Sequence, residues 1–228
     1  NNGTIGPTQA GTIYITGASA TNLGIFRASG GGTLTIQPTN WSNKDGTILI
    51  DQGTVNLGGT IASADIGAFD RTGGTVNITG RIENSGTVLA LDAETGSWNL
   101  LGGRIVGGTV TFADGAQLLG TGTGGVLEDV TLKGDATNPT ALLVTGYPSV
   151  VGIAGNLTLD RVTVGLGNYG RLDIQGVNAT IGGTGVITFL DNNSPTAIRQ
   201  VASGATLIIG ANITVNGFGG TIGYSGYW

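Results

Sequence analysis

The residues of this chain that could do chemistry are two short charged pairs. Asp160 is followed directly by Arg161, and one residue separates Arg171 from Asp173. A carboxylate that holds Ca²⁺ beside an arginine or lysine base is the arrangement that a polysaccharide lyase needs. The same residue types also form surface ion pairs, which contribute little to stability. We expect both pairs to lie at solvated corners as ion pairs, so the sequence predicts no catalytic residue and no enzyme.

Other catalytic and metal chemistry lacks its usual residues. The chain has neither Cys nor His, which removes thiolate and imidazole ligands and the His of pectinase-type hydrolases. Glu128 and Asp129 are adjacent, whereas glycoside hydrolysis needs two carboxyl groups that face each other across a sugar. The run GTGTGG, from Gly120 to Gly125, lacks the Lys-Ser/Thr of a phosphate loop and is better explained as a turn. We therefore predict no cofactor and no metal site.

The composition is unusually poor in charge and rich in glycine. Of 228 residues, 10% are charged, 39% are hydrophobic and 45 are Gly. Glycine combined with Val, Ile, Leu and Thr is typical of many short strands joined by tight turns. The net charge of −5 and the scattered basic residues argue against a nucleic-acid partner. No run approaches the roughly 20 apolar residues of a membrane span, so none is predicted.

A degenerate repeat of about 42 residues runs through the first half of the chain. GGTLTI begins at Gly31 and GGTVNI at Gly73, an offset of 42. NKDGTILI and ENSGTVLA align through Gly46 and Gly86, an offset of 40. Because each copy holds at least three short strands, the repeat predicts two turns of a solenoid, with about 21 residues per turn.

The spacing of apolar residues predicts both the buried side of the strands and the corners between them. In TLTI, at residues 33–36, the two apolar side chains share one face and the two Thr side chains share the other. In LEDVTL (Leu127–Leu132) and LDRVTV (Leu159–Val164) the first two apolar residues are three apart. A straight strand cannot bury both of them. We therefore expect corners at Glu128–Asp129 and Asp160–Arg161.

These features predict an all-β fold, a single-stranded parallel β-helix that is right-handed and has about ten coils. Signals for hairpins are weak, and stacked parallel turns avoid the long open edges of a flat sheet. Small Thr and Asn side chains are expected to stack in ladders on the outside. Residues 1–228 are expected to form one continuous solenoid. Because the sequence begins without Met, we interpret it as a segment of a longer repetitive protein or as a filament subunit.

The strings GGTVTFADGAQLLGTGTGGVLEDVTLKG, GNLTLDRVTVGLG and ATLIIGANITVNGFGGTIG resemble the repeat regions of filamentous-haemagglutinin-like adhesins and autotransporter-type passengers of bacteria. The likeness covers most of the chain and lies in the style of the glycine-bounded strands. It implies secretion to the cell surface or the extracellular space, a β-solenoid stalk, and a role in adhesion or in building a matrix. It also implies glycans or a host or neighbouring cell surface as partners.

Aromatic residues provide the remaining candidate contacts. Trp41 lies in the polar stretch PTNWSNKDG and is predicted to be an exposed ligand contact, because flat rings stack on sugars. Trp98 aligns with Val55 of the preceding repeat and is predicted to lie in the core. At the C-terminal end, Tyr224, Tyr227 and Trp228 either pack against the next copy in end-to-end self-association or fold back over the last coil. No charged capping helix is predicted at either end, so open coil edges can stack.

The sequence thus predicts an extracellular structural and adhesive β-helix, a stalk, filament or matrix element formed by coil stacking. The alternative is a polysaccharide-acting enzyme, a lyase or depolymerase, with a shallow groove. A third possibility is an ice-binding solenoid, which needs regular Thr-x-Thr ladders. TLT at Thr33, TVT at Thr109 and TGT at Thr121 do not recur at the coil period.

Overall fold

The chain forms a β-solenoid of about ten coils, which confirms the predicted fold class. The structure, a computed structural model, describes residues 1–135, 140–192 and 196–224. Thr12, Thr33, Thr54 and Thr75 are in register on four successive coils, so the 42-residue repeat is two coils of 21 residues. Wherever two named strands pair in the described ranges, they pair in parallel. The strands form three stacks, and each coil contributes one segment to each stack.

Stack 1 contains the first strand of each coil. It consists of β1 (Thr4–Ile5), β4 (Ile25–Ser29), β7 (Thr47–Asp51), β10 (Ala68–Arg71), β13 (Val88–Leu91), β16 (Thr109–Phe112), parts of three long strands, and β23 (Thr206–Ile209). The long strands are β18 (Val126–Gly134), β20 (Ser149–Leu166) and β21 (Gly170–Phe189), which bend around corners and serve more than one stack.

Stacks 2 and 3 complete the coil. Stack 2 consists of β2 (Thr12–Ile15), β5 (Thr33–Ile36), β8 (Thr54–Leu57), β11 (Thr75–Ile78), β14 (Trp98–Leu100), β17 (Leu118–Gly120), β19 (Thr140–Val144), parts of β20 and β21, and β24 (Ile213–Gly217). Stack 3 consists of β3 (Ser19–Thr21), β6 (Asn40–Ser42), β9 (Thr60–Ala62), β12 (Arg81–Glu83), β15 (Arg104–Val106), parts of β18, β20 and β21, β22 (Ala197–Gln200) and β25 (Thr221–Tyr224).

The predicted corners lie inside the long strands. Asp129 and Arg161 have φ values of 52° and 58°, in the left-handed region that non-glycine residues rarely adopt. The pairing register shifts at both places, between Glu128 and Val130 and between Asp160 and Val162. The chain therefore turns at the two positions where the apolar spacing changes from two to three.

One inner row of apolar side chains runs through all ten coils of stack 2. Each residue pairs with its equivalent on the next coil, so the row is continuous among the described residues. The row is Ile13, Leu34, Val55, Val76, Trp98, Leu118, Leu142, Val164, Ile187 and Val215. Trp98 is fully buried in it, which confirms the prediction that it is a core residue. Burial of these side chains supplies the main driving force for coil stacking.

A ladder of asparagine carboxamides fills one corner of the first coils. Asn1 Nδ2 donates to Asn22 Oδ1 at 2.6 Å, Asn22 Nδ2 donates to Asn43 Oδ1 at 2.5 Å, and Asn43 Nδ2 donates to the carbonyl oxygen of Ile66 at 2.6 Å. Asn22 and Asn43 are both 0% exposed. The expectation that such ladders lie on the outside is therefore wrong for this one. Its amides satisfy polar groups inside the corner, where water does not reach them.

A second ladder does lie on the outward side of stack 2. Asn99 Nδ2 donates to Asn77 Oδ1 at 2.8 Å, Asn77 donates to Asn56 at 2.8 Å, and Asn56 donates to Thr35 Oγ1 at 2.9 Å. Because three consecutive coils have Asn at this position, the outer side of stack 2 cannot carry an uninterrupted row of threonine there. A Thr row does occur beside it, at Thr12, Thr33, Thr54 and Thr75, over four coils.

In the part of the chain that the structure describes, the pairing of stack 1 is interrupted between β10 and β13. The side chain of Arg71 lies at this gap and donates to the carbonyl oxygens of Gly73, Thr95, Ser97 and Gly74, with distances from 2.5 to 3.1 Å. Burial lowers the pKa of the Arg71 guanidinium. The side chain of Arg71 thus satisfies backbone carbonyl groups that would otherwise need hydrogen bonds from a neighbouring strand.

Candidate functional sites

The first predicted charged pair becomes a cluster of three side chains. Lys133 and Asp160 are in register on neighbouring coils of stack 1, and Lys133 Nζ lies 3.3 Å from Asp160 Oδ2. Arg161 Nε lies 3.1 Å from the other carboxylate oxygen. The hydrogen bond from Arg161, and next the one from Lys133, lower the pKa of the Asp160 carboxyl group. Asp160 is therefore held as an anion, which suits ion pairing and opposes a role as general acid.

This cluster borders a shallow depression of about 320 Å³. Lys133 and Arg161 line it together with Asp135, Phe112 and backbone of the neighbouring coils. The sequence analysis did not include Lys133 in the site. Its place opposite Asp160 could not be read from the match between LEDVTL and LDRVTV, which aligns Lys133 with Gly165. In the structure Leu127 pairs with Ile153, and this register places Lys133 opposite Asp160.

The second predicted pair is more buried than expected. Asp173 is 7% exposed, and Arg199 binds its carboxylate at both oxygens, from Nε at 2.9 Å and from Nη2 at 2.5 Å. Arg171 Nε lies 3.7 Å from the same carboxylate and, among the described residues, makes no hydrogen bond. The prediction of a solvated pair is wrong here, because a second arginine from the next coil covers the carboxylate. A bidentate contact of this kind fixes geometry strongly.

The two predicted pairs do not combine into one site. Lys133 and Asp160 belong to stack 1, whereas Asp173 and Arg199 pair within stack 3. These stacks form different sides of the rod. The structure therefore gives two separate ion clusters.

A third charged cluster, which sequence reasoning missed, lies on the outward side of stack 3. Glu128 is paired with Arg104 and lies 3.9 Å from Arg81 Nη1, and Arg81 is also paired with Glu83. The hydrogen bond to Glu83 raises the pKa of Arg81 above its usual value. The signal in the sequence is the repeated Gly-Arg-Ile at residues 80–82 and 103–105, which places the two arginines in register.

A polar groove runs beside this cluster along several coils. Its first part, of about 500 Å³, is lined by Thr39, Thr60, Thr79, both arginines and several glycines. Its second part, of about 330 Å³, continues from Gly102 to Gln175. Each arginine in the groove already has a carboxylate partner, so the groove has little charge left for an anionic ligand.

The position of Trp41 corrects its predicted role. Its side chain is 5% exposed, packs against Phe26 with ring centroids 6.5 Å apart, and donates from Nε1 to the carbonyl oxygen of Gly58 at 2.8 Å. The stretch around it is not a loop, because Asn40–Ser42 forms β6 and pairs with β3. The prediction of an exposed ligand contact at Trp41 is therefore wrong.

The two ends of the rod carry open strand edges. Among the described residues, β1, β2 and β3 pair with the following coil alone, and β23, β24 and β25 pair with the preceding coil alone. At the first coil the inward residues Ile5 and Ile13 are 36% and 38% exposed, and at the last coil Ile222 is 49% exposed. Their exposure follows from the open edge, because their equivalents in the middle of the rod are buried.

The end coils also carry no charged side chain. The first charged residue of the sequence is Arg27 and the last is Arg199. Of the predicted self-association residues, Tyr224 contributes its backbone to β25, while Tyr227 and Trp228 lie outside the described residues.

Two further findings and the comparisons bear on function. In the part of the chain that the structure describes, no three His, Cys, Asp or Glu side chains lie close enough to hold a metal ion together. No helix in the same part has the length and apolarity to cross a membrane.

The chain matches no protein-family model, no curated protein and no solved structure. The likeness to filamentous-haemagglutinin-like adhesins therefore stays a prediction from the style of the sequence.

Proposed function

We propose that this chain is a non-catalytic structural and adhesive β-solenoid, which forms a stalk, filament or matrix element by coil stacking. The observation that carries the proposal is the stacking of coil on coil, in which parallel strands pair from one coil to the next and one row of apolar side chains runs through ten coils. A rod built by repeated stacking of this kind is extended and depends on contacts between neighbouring coils, which suits a stalk or filament.

The construction of the rod supports a mechanical role. The ten-residue inner row, the buried Asn22–Asn43 ladder and the three stacks all connect each coil to the next. Because the backbone is paired on both sides in the middle of the rod, a protease meets few exposed strands there. This construction suits a scaffold that has to resist extension and digestion.

Location and partners in this proposal come from the resemblance. The resemblance implies secretion to the cell surface or the extracellular space, and it implies glycans or a host or neighbouring cell surface as partners beside other copies of the chain. The polar groove beside Arg81 and Arg104 offers hydroxyl and amide groups to an uncharged sugar.

Negative-stain electron microscopy across a concentration series tests the proposal. We expect fibres that lengthen with concentration and have an axial repeat of about 48 Å, which is ten coils at about 4.8 Å each. Isolated short particles at every concentration would contradict assembly by coil stacking.

A specific observation keeps a polysaccharide-acting enzyme as the second candidate. Lys133, Asp160 and Arg161 lie within hydrogen-bond reach of each other beside a depression. Incubation with a panel of acidic polysaccharides, followed by measurement of chain length, tests this candidate. Cleavage that is lost in both Lys133→Ala and Arg161→Ala, but kept in Arg81→Ala, would favour the enzyme over the scaffold.

A further inference from the structure

We propose that the polar groove binds an uncharged polysaccharide in an extended form, parallel to the rod axis, and that Tyr147 and Tyr169 form an aromatic platform at one end of the groove. This inference rests on the proposed function and specifies where its glycan partner lies. The groove and the tyrosine pair are separate observations, and both point to a ligand with many hydroxyl groups and apolar ring faces.

The groove follows the corner between stack 2 and stack 3, and glycines form much of its floor. Gly80 and Gly103 lie at this corner on neighbouring coils, and both line the first part of the groove. A Cβ at Gly103 would lie 2.7 Å from the carbonyl oxygen of Gly80, so the two corners approach each other backbone to backbone. Because these positions carry no side chain, the corner forms a trough.

The length of the groove suits a chain of sugars. From the coil of Thr39 to the coil of Gln175 it crosses six steps between neighbouring coils. At about 4.8 Å per step, the groove is about 29 Å long. A single sugar ring would fill only a small part of this length.

Hydroxyl and amide side chains line the groove along this length. Thr39, Thr60 and Thr79 line its first part, and Thr123 and Gln175 line its second part. A threonine hydroxyl and a glutamine carboxamide each donate and accept hydrogen bonds. They therefore match sugar hydroxyl groups, which do the same.

The charges beside the groove favour an uncharged ligand over an acidic one. Arg81 is paired with Glu83 and Arg104 with Glu128, so these four charges cancel. The side chains that line the second part carry no charge among the described residues. An acidic sugar would have to displace a carboxylate from its arginine, whereas an uncharged sugar leaves both ion pairs in place.

The tyrosine pair lies at the same corner, on the last two coils that line the groove. The ring centroids of Tyr147 and Tyr169 are 4.6 Å apart, with an angle of 79° between the planes, and Tyr147 is 76% exposed. Pro148, the residue after Tyr147, packs on the groove floor, since a Cβ at Gly122 would lie 2.8 Å from the Pro148 carbonyl oxygen. The pair thus offers apolar ring surface beside the trough, on which a sugar ring can stack.

The backbone holds one ring of this pair in a fixed position. Asn168 and Tyr169 have φ values of 48° and 67°, so two successive non-glycine residues are in the left-handed region. The carboxylate of Asp191, on the next coil, accepts a hydrogen bond from the Asn168 N–H at 2.6 Å. Strained backbone of this kind is concentrated at ligand sites, where it positions a side chain before the ligand arrives.

Affinity electrophoresis of the full chain tests the ligand class. Native gels contain an uncharged polysaccharide (dextran, galactomannan or xyloglucan) or an acidic one (polygalacturonate or alginate) at graded concentrations. We expect at least one uncharged polysaccharide to retard the chain and the acidic ones to leave its mobility unchanged. Retardation by acidic polysaccharides alone would overturn the ligand class and would direct attention to Lys133 and Arg161.

Two variants with matched controls test the site. Tyr147→Ala should weaken binding roughly tenfold, as expected for an exposed aromatic contact, whereas Tyr14→Ala, which removes a 63% exposed tyrosine from the outward side of stack 2, should not. Thr79→Tyr should block the trough and abolish retardation. Its control Thr158→Tyr makes the same change at a half-buried outward position of stack 1 and should leave binding intact.

Circular dichroism spectra equal to that of the parent chain verify that the variants keep the fold. Unchanged affinity in either Tyr147→Ala or Thr79→Tyr would overturn this site. Titration calorimetry with oligosaccharides of the retarding polysaccharide tests the extended mode, in which affinity rises with length over several sugar units. A disaccharide that binds as tightly as the longer oligosaccharides would overturn it.

Failure of this inference is distinguishable from failure of the proposed function. If no uncharged polysaccharide retards the chain but fibres form in the electron microscope, the glycan site is wrong and the scaffold stands. If the chain binds a polysaccharide through Tyr147 and Thr79 but forms no fibres, the glycan site stands and assembly by coil stacking is wrong.

Discussion

The buried asparagine ladder makes a quantitative prediction for the variant Asn43→Ala. Asn43 accepts a hydrogen bond from Asn22 and donates one to the carbonyl oxygen of Ile66, in a corner where both asparagines are 0% exposed. The variant strands one N–H of Asn22 and one acceptor position of Ile66. Each stranded buried group costs about 1–3 kcal/mol, so we expect the free energy of unfolding to fall by about 2–6 kcal/mol.

Thermal unfolding followed by circular dichroism measures this loss. For a chain of this size, 1 kcal/mol corresponds to about 2–4 °C in Tm, so Asn43→Ala should lower Tm by roughly 4–24 °C. The matched control is Asn99→Ala in the outward ladder. Asn99 is half-buried, whereas Asn43 is 0% exposed, and Asn99 donates one side-chain hydrogen bond, to Asn77, which is 8% exposed. Its loss should cost about 0.5–1.5 kcal/mol.

The comparison of the two variants decides the argument. If Asn43→Ala is no more destabilising than Asn99→Ala, the corner admits water and the ladder is not a buried network. Equal and large losses in both would mean instead that the outward ladder is as important to the rod as the corner. Either result would refute the assignment of the larger stabilisation to the buried ladder.

Three further changes have expected outcomes. Trp98→Ala removes a fully buried ring and should lower the free energy of unfolding by about 3–5 kcal/mol in chemical denaturation. Gly59→Ala should destabilise the rod strongly, since the residue has φ of 57° and a Cβ there would lie 1.7 Å from a backbone oxygen. Gly31→Ala, with φ of 75° and open space around it, should cost about 1 kcal/mol. The pKa of Asp160 is lowered in the folded chain, so its stabilising effect is complete above its unfolded pKa, near 3.8, and is lost as pH falls through the lower folded value. The difference in Tm between the parent chain and Asp160→Asn should therefore shrink below pH 4; a difference that grows there would contradict the ion pairs.

The early coils were predictable because their length does not change. Glycine and threonine recur with a fixed offset, and the register Thr33–Thr54–Thr75 follows directly from them. The corners at Asp129 and Arg161 were predictable for a second reason, since an apolar spacing of three has no place in a straight buried strand.

The candidate sites were less predictable, because they depend on register between unequal coils. Asp173 and Arg199 are 26 residues apart, well beyond the 21-residue period, so no repeat in the sequence places one over the other. Trp41 was misplaced because β6 has three residues, too few to display an alternating pattern, and its neighbours are polar. Trp41 packs against Phe26 of β4, a strand of another stack, and no local pattern records this contact.

The open edges have a thermodynamic consequence for the stability of the rod itself. In a lone copy each end coil contacts one neighbouring coil, whereas a middle coil contacts two. Unfolding an end coil therefore breaks fewer contacts, and unfolding starts there. In the proposed filament these coils would have neighbours on both sides, so joining would act as a ligand that binds the folded state alone. At a free concentration of 100 times the dissociation constant, one such contact adds about 2.7 kcal/mol. The melting temperature should thus rise with protein concentration, and the chain would be most durable where it is most crowded.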